Sequence, residues 1–170
     1  MKTIALYIFL LFVVLPGKAQ NKAIDDIFSK FEGKNGVTSV NISKDLMSMV
    51  AQMDSNDVKA KDLFAQIGAV KILAFEKATP DDKVAFENMV KALPLGDYKE
   101  LMVVKDKDNN VRMLSKQNQG KISEFLLLVT GGNEPVLISI TGNIDLKDLG
   151  KLSSCMKMEG FQHLAKLNKK

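Results

Sequence analysis

The chain has 170 residues, 46% hydrophobic and 26% charged, with no low-complexity tract. That composition suits one globular domain with a real core and excludes a disordered or fibrous polymer. The net charge of +4 is scattered, with no basic stripe and no interleaved aromatics, which argues against nucleic acid as a partner. The single cysteine, Cys155, excludes an intrachain disulfide.

Residues 1–19 read as a cleaved secretory signal. Lys2 gives a positive start, residues 4–15 are uninterruptedly apolar, and Pro16 and Gly17 break the run. The run is well short of the ~20 residues that span a bilayer. Gly17-Lys18-Ala19 places small residues where a signal peptidase reads, so the expected cut lies between Ala19 and Gln20. The 24 basic residues less Lys2 and Lys18 leave 22 against 20 acidic, a mature net charge of +2. The expected location is the periplasm or the exterior. No lipid anchor is expected, because no cysteine lies at the cut.

Ile24, Ile27, Phe28 and Phe31 make an i, i+3, i+4, i+7 stripe and predict a helix over 23–31. Residues 37–42 alternate as a strand. Ser43 and Asp45 open a second helix whose expected inward stripe is Leu46, Met49, Val50 and Met53. After a break at 54–57, a short helix over 59–66 presents Leu63, Phe64 and Ile67. Residues 69–76 are apolar on both faces, as an interior strand is. Thr79-Pro80-Asp81-Asp82 is the clearest helix start in the chain, and Phe86, Met89, Val90 and Leu93 form its stripe before Pro94.

Strands follow at 98–105 and 111–116, joined by a polar turn at 106–110. The stretch 122–145 reads as a β-hairpin, and the rest of the fold is organised around it. Residues 125–129 suit a strand buried on both faces. Gly131-Gly132-Asn133 can reverse the chain, and Val136, Ile138 and Ile140 alternate with Leu137, Ser139 and Thr141. A helix capped by Asp145 and carrying Leu146, Leu149 and Leu152, then another over 159–167, complete the pattern. The expected fold is α+β: residues 20–170 as one domain, with a mixed sheet of about six strands. The sheet should end in an antiparallel four-strand meander, with helices mainly on one face.

The stretches GVTSVNISK at 36–44 and FLLLVTGGNEPVLISITGNIDLKDL at 125–149 resemble the family known as domain of unknown function 4252. The resemblance extends over nearly all of the mature chain. Its members are small exported proteins of Bacteroides-type Gram-negative bacteria, many of them lipoproteins. The resemblance implies an envelope location and favours a non-enzymatic role, and it supplies no functional residues.

Candidate chemistry is sparse. His163 is the only histidine and sits beside an apolar stripe, so it pairs with Cys155 only if the break at Glu159-Gly160 brings them together. Met47, Met49 and Met53, and Cys155, Met156 and Met158, are soft-ligand types suited to Cu(I). Methionine is also a common core filler, and Met49 and Met53 lie on the expected core stripe of their helix. Asp25-Asp26 and Asp81-Asp82 are helix-start acids. Residues 106–110 are too short for a calcium loop. No cofactor, metal or catalytic residue is therefore expected.

The functional expectation is an envelope module that binds another protein or a small ligand. The partner surface is expected on the second sheet face, at Leu114, Leu137, Ser139 and Thr141. The alternative is a carrier of an apolar small molecule, held between the sheet and methionine-rich helices.

Overall fold

The computed structural model describes residues 19–53 and 58–145. The elements are α1 (Ala19–Phe31), β1 (Thr38–Ile42), α2 (Lys44–Met53), α3 (Val58–Gln66), β2 (Ile67–Ala74), α4 (Pro80–Lys91), β3 (Tyr98–Lys105), β4 (Asn109–Asn118), β5 (Lys121–Gly131) and β6 (Val136–Ile144). The expected leader at 1–18, the break at 54–57, the helices carrying Leu146 and Phe161, and the residues Cys155, Met156, Met158 and His163 lie outside the described residues. The expected cut at Ala19 and Gln20 falls on the first residues of α1.

The six strands form one sheet in the order β1-β2-β6-β5-β4-β3. Every neighbouring pair is antiparallel, so the sheet is not the mixed one expected from the alternation of helices and strands. The reason is topological. α4 carries the chain from β2 to the far edge, where β3 runs in the same direction as β2 but is not its neighbour. From β3 onward each strand pairs with the next.

The helices do not gather on one face. Ile24, Ile27, Phe28 and Phe31 of α1 and Phe86 and Val90 of α4 pack with Leu73, Leu114, Leu126, Leu128 and Leu137. Met47 of α2 and Leu63 of α3 pack with Val70, Ile72, Met113, Phe125, Leu127, Ile138 and Ile140 on the opposite face. The cause is in β5. Phe125, Leu126, Leu127 and Leu128 are all at most 1% exposed, so consecutive apolar side chains point to both faces and both need covering.

On the α1–α4 face, Phe75 lies 5.1 Å from Phe31 and 4.4 Å from Phe86, ring centre to ring centre. Fully burying each such ring stabilises the fold by about 1.5–3 kcal/mol. α4 starts as its sequence requires: the Asp82 amide donates to Thr79 Oγ1 at 3.2 Å, and Pro80 occupies the first turn. α4 also holds the β5–β6 turn, because the Gly131 amide donates to Glu87 Oε1 at 2.9 Å and Lys83 donates to the Asn133 carbonyl. Gly131 has φ of 78°, and a Cβ there would stand 2.4 Å from the Asp108 carbonyl oxygen, so only glycine fits.

α2 departs from its expected stripe. Met47 and Ala51 are buried, whereas Leu46 is 49% and Met49 62% exposed. Apolar residues surround most of this helix, so two adjacent stripes compete, and contact with α3 and β2 selects the one through Met47.

Candidate functional site

Most of the interface between helices and sheet is filled by side chains. An exception lies on the α1–α4 face, where β2, β6 and β5 pass beneath the N-terminal half of α1. A cleft of about 190 Å³ opens there, lined by Ile24, Asp25, Ala69, Lys71, Glu124, Ser139 and Thr141. Strand register brings the floor together. Lys71 stands opposite Ser139, Ala69 opposite Thr141, and Thr141 opposite Glu124.

Glu124 points into this cleft because it is in step with Leu126 and Leu128, which face α1 and α4. Residues two apart on a regular strand share a face. The β5 register shifts between Ile122 and Glu124, so Ile122 enters the α2–α3 core while Glu124 faces the cleft. The result is a carboxylate only 4% exposed on an interior strand. Tyr98 donates to its Oε2 at 2.6 Å and Ser139 to its Oε1 at 3.0 Å. Tyr98, Lys116 and Glu124 form one cross-strand row, and Lys116 reaches outward to Asp97 at 3.3 Å. Burial raises the Tyr98 phenol well above its ordinary pKa, and the hydrogen bond to Glu124 adds to the shift, so it remains a donor.

Among the described residues Glu124 forms no ion pair. The cleft's own cation, Lys71, is spent at the mouth. It pairs with Asp25 of α1 and lies 5.6 Å from the centre of the Phe28 ring. Lys71 and Asp25 cancel, so the charge left in the cleft is that of Glu124.

The expected partner surface divides. Leu114 and Leu137 are at most 1% exposed beneath α1 and α4, so they form core and no open surface. Ser139 and Thr141 line the cleft. The face was read as open because the helices were expected on the other side. Of the remaining cleft residues, the sequence marks Ile24 as part of the α1 stripe and Asp25 as one of a pair of helix-start acids. The sequence signal for Glu124 is a lone acid immediately before the apolar run 125–129. Met47 is a core residue and Met49 is exposed, so the two do not converge. No group of three His, Cys, Asp or Glu side chains placed to hold a metal ion occurs among the described residues. A wider groove of about 320 Å³ follows the β3–β4 turn, but Asp106 there accepts from the Asp108 and Asn109 amides, which lower its pKa and lock it into the turn.

A family model described as Domain of unknown function (DUF4252) matches residues 31–152. The chain belongs to that family. No curated protein and no solved structure matches it. The DUF4252 span includes every strand of the sheet and the cleft floor, from Ala69 and Lys71 to Glu124, Ser139 and Thr141. The wall formed by Ile24 and Asp25 precedes it.

Proposed function

We propose that this DUF4252 protein is an exported, non-enzymatic binding module whose cleft beneath α1 takes a small polar ligand. The observation that carries the reading is Glu124: a buried carboxylate, held by two hydroxyl donors, facing a recess large enough for a small molecule. Burying a charge is costly unless it is paired, and ligand sites are where such groups recur. The apolar leader at 4–15 supports export.

Two features favour binding over catalysis. Ser139 donates a hydrogen bond to Glu124, but Ser139 lies mid-strand between β2 and β5, in register with both Lys71 and Leu126. Its backbone is committed to the ladders and cannot serve as an oxyanion donor. The cleft is also smaller than the 300–1,000 Å³ or so of a typical pocket for a drug-sized ligand, and its floor is polar. A lipid-like cargo therefore fits poorly.

Amide chemical shifts of the full chain, followed during titration with a panel of small polar molecules, test the reading. Saturable shifts confined to residues around Ala69, Lys71, Glu124, Ser139 and Thr141 are expected. A panel that moves none of them would overturn it. Fractionation and N-terminal sequencing check export, with Gln20 the expected first residue.

A further inference from the structure

Resting on that reading of the cleft, we infer that its ligand carries a primary ammonium group, which docks on Glu124 through the space between Ile24, Ala69 and Thr141. The inference starts from charge. Asp25 and Lys71 neutralise one another at the mouth, and Glu124 remains at the floor as the cleft's net negative charge. A carboxylate offers about four acceptor positions, and the Tyr98 and Ser139 hydroxyls use two. Among the described residues Glu124 has no positive donor, and a ligand ammonium supplies one.

Geometry selects among cations. A guanidinium binds carboxylates best as a planar fork that grips both oxygens at once. Here Oε1 and Oε2 each already hold a hydroxyl from a different strand, Ser139 on β6 and Tyr98 on β3. A compact ammonium needs a single approach and rotates its donors to suit. The cleft of about 190 Å³ corresponds to roughly six waters, so the ligand is a short one. Ile24 and Ala69 offer apolar surface to a few methylenes.

Isothermal titration of the full chain with propylamine, 1-propanol and propionate tests the inference. Propylammonium is expected to bind saturably, 1-propanol at least tenfold more weakly, and propionate not at all. Glu124→Gln keeps the shape and removes the charge, and it should weaken propylammonium at least tenfold. Lys71→Met removes a competing cation from the cleft mouth and should raise that affinity. Amide shifts in the unmodified chain give a readout that needs no variant, because propylammonium should move the residues around Glu124. If propionate binds instead, and Lys71→Met abolishes it, the cleft is an anion site: the ammonium inference fails while the binding reading stands. If 1-propanol binds as well as propylamine, the charge argument fails in the same way. If neither these probes nor the wider panel moves any cleft residue, both readings fall.

Discussion

The two faces of the sheet do the same mechanical work with different chemistry. The face under α2 and α3 is apolar along its central strands, from Val70 and Ile72 through Ile138 and Ile140 to Phe125 and Leu127. The face under α1 and α4 is apolar at one end, where Phe31, Phe75 and Phe86 meet, and polar at the other, where Glu124, Ser139 and Lys71 line the cleft. Helix cover explains the contrast only in part, since each face carries two of the described helices. The difference lies in the irregular step of β5 at Ile122–Glu124, which sends a carboxylate to one side and an isoleucine to the other. A purely structural sheet gains nothing from that arrangement, because a buried charge costs stability where an apolar side chain would add it.

Removing the keystone of one face should have the largest effect. Phe86→Ala leaves a void against Phe75 and Phe31 and is expected to cost about 3–5 kcal/mol in urea denaturation. A loss below about 1 kcal/mol would mean that the aromatic cluster does not anchor α4. On the other face, Met47→Ala should cost about 2–5 kcal/mol, while Met49→Ala stays within about 0.5 kcal/mol. Equal losses at the two positions would show α2 to be rotated from the orientation described.

The polar end gives a third measure. Tyr98→Phe removes a donor to a buried carboxylate and should cost about 1.5–3 kcal/mol, measured by thermal unfolding. A neutral result would imply that Glu124 finds another donor at once. The caps rank lower. Thr79→Ala should cost about 1 kcal/mol, and Ser43→Ala less, because the Thr79 hydroxyl both accepts from the Asp82 amide and donates to Asp82 Oδ2 at 2.9 Å. The smallest effect is in acid. The Lys34 ammonium, then the Thr79 hydroxyl, hold Asp82 below its ordinary pKa of 3.8. That contribution is present above the unfolded value and lost as pH falls through the lower folded one. Asp82→Asn should therefore flatten the stability profile slightly in that range, and an unchanged acid limb would dismiss the ion pair as a contributor.

Local sequence determined the parts whose signals were redundant. Thr79-Pro80-Asp81-Asp82 specifies a helix start through cap, ring and charge together, and the α1 stripe has one apolar face with no competitor. The turn glycines and alternating strands likewise placed β5 and β6 near where they lie. Tertiary packing decided what periodicity leaves open. It chose between two stripes on α2, assigned the helices to both faces, and turned Leu114 and Leu137 from a supposed surface into core. It also placed Ile122, since only pairing with β4 and β6 reveals the register shift that turns it to the face opposite Glu124. A side chain's face follows from local period while the strand is regular. Once the register slips, only its neighbours across the sheet decide which way it points.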